Sequence, residues 1–154
     1  MKERYNRVQL FCDLLSVVLL LATAAYLWLA WDKLPDSMPT HFNFAGEADS
    51  WGGKGSLLAL PLIAFALYAL LTAVCFFPKA WNMPFAVTEA NRERLYTLTQ
   101  EMLGVIKALC VAMLCYIAFD TARRQAISGA LMIVFLLLLF GAIIFYTVRM
   151  ARYK

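Results

Sequence analysis

Polar residues are concentrated in one stretch of an otherwise apolar chain, LPDSMPTHFNFAGEADSWGGK, which runs from Leu34 to Lys54. The stretch holds His41, the only histidine of the protein, together with several carboxylates. An imidazole beside carboxylates could hold a metal ion, transfer protons or bind a polar ligand. The side chains expected to make the ligand contacts are Asp36, His41, Asn43, Asp49 and Lys54.

Two alternatives compete with ligand binding for this stretch. In the first, His41 and carboxylates from Asp36, Glu47 or Asp49 hold a metal ion for a membrane-surface hydrolase. With one histidine, no cysteine nearby and no HExxH pair, that donor set is sparse. In the second, His41 and Asp49 only hold the turns of the stretch together by hydrogen bonds. We expect neither a metal nor another cofactor.

The backbone of the same stretch is predicted to be ordered. Pro35 and Pro39 favour extended backbone in the residues before them, and Gly46 supplies a turn. Trp51 belongs at the level of the membrane headgroups, where indole rings prefer to lie. These four residues are the predicted structural residues of the stretch.

Alternation from Thr40 to Phe44 predicts a short extended segment. His41 and Asn43 would face one way, and Phe42 and Phe44 would face the other way. We expect the two phenylalanines to pack against the membrane-facing body of the protein, leaving the imidazole and the amide on the opposite face.

The elements that position these residues are membrane spans. The chain has 154 residues, of which 63% are hydrophobic and 16% charged, unlike a soluble protein. About 20 apolar residues cross a bilayer as a helix, and four such stretches occur, at approximately 8–31, 57–77, 98–119 and 127–148. The sequence predicts an all-α integral membrane protein, a four-transmembrane-helix bundle forming a single domain over 1–154.

The connections of this bundle are an ordered loop at 32–56, a segment at 78–97 and a tight third turn. The first apolar stretch contains Asp13 and continues past a small-residue site at 22–24, so we expect an uncleaved span and not a signal peptide.

Basic residues predict the orientation, because cytoplasmic flanks of spans retain Lys and Arg. On one side lie Lys2, Arg4, Arg7, Lys79, Arg92, Arg94, Arg149, Arg152 and Lys154. On the other side lie Lys33, Lys54, Arg123 and Arg124. Both termini are therefore predicted to be cytoplasmic, and the loop at 32–56 extracytoplasmic. The surplus positive charge would meet anionic membrane lipid, and no nucleic-acid partner is expected.

Two ionisable residues, Asp13 and Lys107, lie inside predicted spans, where charge is costly. Both fall on the cytoplasmic half of their helices, so the two side chains could meet. A structural ion pair is the first interpretation, and a proton or ion relay is the alternative.

Two motifs resemble a known family: the outer motif LPDSMPTHFNFAGEADSWGGK and the inner motif NMPFAVTEANRERLY. Both resemble the bacterial membrane domain of unknown function found at the N-terminus of SdpI-type immunity proteins. The matching outer positions are Pro35, Asp36, Pro39, His41, Gly46, Asp49, Trp51 and Lys54. The matching inner positions, in the cytoplasmic segment, are Pro84, Thr88, Asn91 and Tyr96.

The resemblance implies a helical integral membrane protein of bacteria with an immunity or signalling role. The first functional hypothesis is therefore a binding module, in which the outer loop recognises an extracytoplasmic peptide or lipid and the amphipathic segment 88–107 couples that event to the cytoplasm. A transporter is a further hypothesis, which would require a homo-oligomer because the spans of one chain carry too few polar groups to line a path.

Overall fold

The computed structural model describes residues 6–154, so Lys2 and Arg4 of the orientation prediction lie outside the described residues. Most of the described chain is helical. The long helices are α1 (Arg7–Ala30), α2 (Ala59–Cys75), α3 (Arg92–Ala122) and α4 (Gly129–Ala151). Each of these helices, with its flanking turns, is long and apolar enough to cross a membrane. The four predicted apolar helices are confirmed.

The prediction of an all-α protein is incomplete, because the connection between α1 and α2 contains a small sheet. Its strands are β1 (Ser37–Phe42) and β2 (Ala48–Gly53), which pair antiparallel. Short 3₁₀ turns flank the hairpin at Trp31–Lys33 and Lys54–Leu58, and a third lies at Pro78–Ala80.

The third helix begins earlier than the predicted span, at Arg92, and ends at Ala122. The side chain of Asn91 fixes this start: its Oδ1 accepts a hydrogen bond from the Thr88 N–H at 2.8 Å, and its Nδ2 donates to the Ala86 carbonyl at 3.1 Å. Asn91 therefore closes a turn ahead of the helix, which starts at Arg92 and not at the first residue of the predicted amphipathic segment 88–107.

Helix α3 is the centre of the bundle, because it packs against α1, α2 and α4, whereas α1 and α2 contact each other much less. Gly104 lies where α1 packs on α3: a Cβ added there would lie 3.6 Å from Cys12 Cβ and from Gln9 Cα. Larger side chains at 104 would push the two helices apart.

Helix α4 packs against α3 mainly at the end away from the hairpin. A core cluster there joins Tyr146 and Met150 of α4 to Leu95 and Leu98 of α3. Almost all of the remaining surface of α4 is apolar and exposed, as expected of a helix that faces lipid.

Candidate functional site

The outer hairpin is fixed to the helices at its first strand. Met38 of β1 is completely buried and packs with Leu27 of α1, Leu57 of the second 3₁₀ turn and Ala122 at the end of α3. The Met38 side chain thereby fills the space between α1, this turn and the end of α3. A methionine suits such an irregular gap because its side chain is flexible. The base of the hairpin is held on the bundle by this contact.

The tip of the hairpin is fixed to the third connection. The Gly46 carbonyl accepts a hydrogen bond of 2.8 Å from the Ile127 N–H. Gly46 has a φ of +80°, and a Cβ there would collide with the Ile127 carbonyl. Only glycine combines this left-handed conformation with such a close backbone approach. Gly46 therefore acts as the predicted turn residue and also as an anchor.

Asn43 builds the turn itself. Its Oδ1 accepts hydrogen bonds from the Ala45 N–H at 2.9 Å and the Glu47 N–H at 3.0 Å. Its backbone N–H donates to the Glu47 carbonyl at 2.8 Å. This is the local backbone bonding for which Asn is favoured in turns. The carboxamide oxygen proposed for ligand contact is thus engaged inside the hairpin.

The strand ladder is irregular on both sides of His41. Successive pairs are Pro39 with Trp51, His41 with Ser50, and Phe42 with Ala48. Thr40 in β1 and Asp49 in β2 are therefore extra residues, one bulge in each strand. In a regular strand Asp49 would point away from the face of its neighbour Ser50. A bulge re-aims side chains, and here Asp49 lies on the face of His41.

The result is an exposed acid–imidazole pair. His41 Nδ1 lies 2.6 Å from Asp49 Oδ1, and the two side chains are 68% and 42% exposed. Thr40 Oγ1 donates a hydrogen bond of 3.2 Å to Ser50 Oγ beside the pair. A carboxylate on one ring nitrogen orients the imidazole and leaves the other nitrogen for a ligand or a proton. The structure brings together His41 and Asp49 out of the five predicted contact residues.

Asp36 and Lys54 meet each other at the base of the hairpin. The Lys54 N–H donates a hydrogen bond of 2.8 Å to the Asp36 carbonyl. The Lys54 ammonium lies over the Trp31 ring, 4.8 Å from its centroid, a cation–π geometry.

Across residues 6–154, no three His, Cys, Asp or Glu side chains group closely enough to hold a metal ion.

Two aromatic residues of the hairpin differ from expectation. Phe44 is fully exposed, so the prediction that it packs against the membrane-facing body is wrong. The alternation ends before Phe44 because the turn begins at Asn43. Phe42 is half-buried. Trp51 carries the Arg124 guanidinium over its ring at 4.7 Å. Arg124 has a φ of 55° in the third connection, and sequence reasoning gave this residue no role beyond its charge.

The inner motif folds across the other end of the bundle. Trp81 Nε1 donates a hydrogen bond of 2.9 Å to the Val74 carbonyl, and its ring meets Tyr96 edge-on at 5.3 Å. Trp81 thus joins the segment to Val74 of α2 and to Tyr96 of α3. Pro84 lies in the irregular stretch before the Thr88–Asn91 turn. The contacts of Thr88, Asn91 and Tyr96 in this arrangement are structural.

A second acid–base pair lies inside the bundle. The Lys107 ammonium forms a salt bridge with the Asp13 carboxylate, and both side chains are buried, at 1% and 9% exposure. Lys107 Nζ also donates a hydrogen bond of 2.9 Å to Thr72 Oγ1 and lies 5.0 Å from the centroid of the Tyr68 ring. Sequence reasoning missed Thr72 and Tyr68, because an uncharged polar residue in a span gives no distinct signal.

Comparison with known proteins gives a match that contains the hairpin. A family model described as a domain of unknown function (DUF1648) matches residues 18–65, which run from the middle of α1 through the hairpin into α2. The outer motif lies within the match and the inner motif outside it.

The chain is also 36% identical over 76 residues to an uncharacterized protein of Archaeoglobus fulgidus, with 42% of each chain covered. The match therefore spans less than half the length of that relative. No solved structure matches the chain.

Proposed function

We propose that this protein is a binding module of the bacterial cell membrane, of the SdpI-like immunity or sensory type, whose hairpin recognises an extracytoplasmic peptide. Both termini would be cytoplasmic, which places the hairpin outside. The observation that carries the proposal is the exposed His41–Asp49 pair, oriented by a bulge in each strand.

The mounting of the hairpin supports recognition. It is held at Met38 by a fully buried side chain and at Gly46 by a backbone hydrogen bond to the third connection. Binding to a surface that is already ordered avoids the entropic cost of ordering a loop. The His41–Asp49 pair, carried by a hairpin that is already ordered, can therefore select a ligand.

A large apolar group lies on the same hairpin. Phe44, fully exposed at the tip, offers an aromatic anchor close in sequence to His41. Aromatic anchors combined with a few placed polar groups are typical of protein recognition surfaces. We favour a peptide ligand over a lipid headgroup because a peptide offers both an apolar side chain for Phe44 and backbone or charged groups for the pair.

Coupling to the inside would pass through α3. This helix ends next to the connection that holds Gly46 and begins within the inner motif, whose Tyr96 contacts Trp81. In the proposal, ligand binding at the hairpin biases the position of α3 and so the segment at 78–91.

Site-specific photo-crosslinking in intact cells tests the proposal. A benzoylphenylalanine at position 44 is expected to capture a peptide that mass spectrometry identifies, and the same label at the exposed Phe77, at the other end of α2, serves as the control. Asp49→Asn removes the charge that orients His41, so capture at position 44 should fall about tenfold, as expected for a lost charged hydrogen bond.

Two results would count against the peptide. Capture of phospholipid alone would assign the hairpin to headgroup recognition. Equal peptide capture by wild type and by His41→Ala would show that the pair makes no contribution to recognition.

A further inference from the structure

A groove of about 800 Å³ lies between the hairpin-side halves of α1 and α2. Its walls are apolar and include Leu21, Ala24 and Trp28 of α1 and Pro61, Leu62 and Phe65 of α2. The groove exists because α1 and α2 each pack on α3 and contact each other little. Its volume falls within the range of about 300–1,000 Å³ that is usual for small-molecule sites.

The walls fit a hydrocarbon chain. Four of its side chains are left uncovered by the rest of the protein: Leu21, Trp28, Leu62 and Phe65. The groove lies in segments long and apolar enough to span a membrane. A surface of this kind at bilayer depth is covered by apolar groups, because hydrocarbon offers no partner for polar ones.

The mouth of the groove is polar and charged. Trp31 and Asp32, in the 3₁₀ turn after α1, line it at the end next to the hairpin. Lys54 adds a positive charge at the same end of the groove, because its ammonium lies over the ring of Trp31, the residue before Asp32. Tryptophan at this position is typical of the headgroup level. Within residues 6–154 neither Asp32 nor Lys54 takes part in a side-chain salt bridge.

We propose that the groove binds one acyl chain of a phosphatidylethanolamine-type lipid from the leaflet on the hairpin side. The lipid ammonium would lie at Asp32, and its phosphate at Lys54. A headgroup with both charges satisfies both residues, whereas an anionic headgroup without an amine leaves the Asp32 carboxylate facing negative charge. This site is separate from the His41–Asp49 pair, and the inference does not depend on the proposed function.

Lipid retention measured by native mass spectrometry tests the proposal. The full chain is placed in nanodiscs of equal parts dioleoyl phosphatidylethanolamine and dioleoyl phosphatidylglycerol, then released. We expect one phosphatidylethanolamine per chain, retained about tenfold over phosphatidylglycerol, as for one charged hydrogen bond. Equal retention of the two lipids by the wild-type protein would overturn the proposal.

Adjacent alanines of α1 give a matched pair of variants. Ala24 lines the groove, and its neighbour Ala25 is exposed outside it. Ala24→Trp should fill the groove and lower lipid retention at least tenfold, while Ala25→Trp should leave it unchanged. Equal retention by the two variants would mean that only non-specific boundary lipid is bound. If Ala24→Trp does not fold, Leu62→Trp with Ile63→Trp as control repeats the comparison from α2, where both residues are exposed.

The headgroup assignment has its own variant. Asp32→Asn should keep one bound lipid but remove the preference for phosphatidylethanolamine, and a preference that persists would overturn the role of Asp32. His41→Ala should leave lipid retention unchanged, so a failure of the lipid site is distinguishable from a failure of peptide recognition at the hairpin.

Discussion

The acid–base pairs of the hairpin and of the helix bundle share their chemistry and differ in their surroundings. His41 and Asp49 are exposed on the hairpin, whereas Lys107 and Asp13 are buried between α1 and α3. An exposed pair contributes about 0.2–1 kcal/mol to folding, whereas removing one member of a buried pair costs about 3–5 kcal/mol because a lone charge stays behind. Because it is buried, the inner pair, Lys107 and Asp13, contributes to the stability of the fold. Because it is exposed, the outer pair, His41 and Asp49, is available for binding.

The largest expected effect separates the two pairs directly. Lys107→Met should lower the free energy of unfolding by about 3–5 kcal/mol, because Asp13 is left as an unpaired buried charge. The measurement is the thermal unfolding midpoint of the purified protein in detergent. Lys79→Met, which removes an exposed lysine, is the control and should change little.

A double variant sharpens this test. Asp13→Asn combined with Lys107→Met removes both charges and should recover most of the lost stability, since no uncompensated charge remains. If the double variant is no more stable than Lys107→Met alone, the lysine acts through Thr72 and Tyr68 and not through the ion pair.

An intermediate effect is expected where the hairpin meets the helices. Gly46→Ala should destabilise the tip by about 2 kcal/mol, because a positive φ is strained for alanine and the new methyl collides with Ile127. Proteolysis between β1 and β2 should become faster. Gly55→Ala is the matched control, since nothing lies within 4 Å of a Cβ there; equal protease sensitivity in both variants would argue against the anchor.

The smallest effect on stability is expected at the outer pair. Asp49→Asn should change the free energy of unfolding by less than about 1 kcal/mol, because both side chains of the pair are solvated. The unfolding midpoint should thus match that of the control Asp36→Asn. A loss as large as that of Lys107→Met would show that the pair holds the hairpin together, which was the alternative raised from the sequence.

The helices and the inner pair were accessible to sequence reasoning because both depend on strong signals. Long apolar runs predict spans, and charges within spans are rare enough that Asp13 and Lys107 stand out. Thr72 carries no such signal, although it completes the lysine site. The amphipathic segment was predicted from residue 88, but α3 starts at Arg92 because the Asn91 side chain closes a turn with Thr88 and Ala86.

The hairpin was only partly predictable. Gly46 was predicted as a turn residue, but Asn43 was assigned to ligand contact although its side chain builds the turn. The bulges at Thr40 and Asp49 gave no signal in the sequence. Alternation placed Phe44 on the wrong side because the turn that begins at Asn43 ends the extended segment. The groove between α1 and α2 is a tertiary feature, produced by the packing of both helices on α3.

The central position of α3 sets an order on assembly during synthesis. Asp13 enters the membrane with the first helix, but its partner Lys107 emerges from the ribosome only with the third helix, after the hairpin and α2 have been made. Until then α1 and α2 have little surface to share, and the acid has no counter-charge. The third helix therefore supplies both the partner of Asp13 and Ala122, against which Met38 packs, whereas the core cluster at Tyr146 and Met150 forms only when α4 follows.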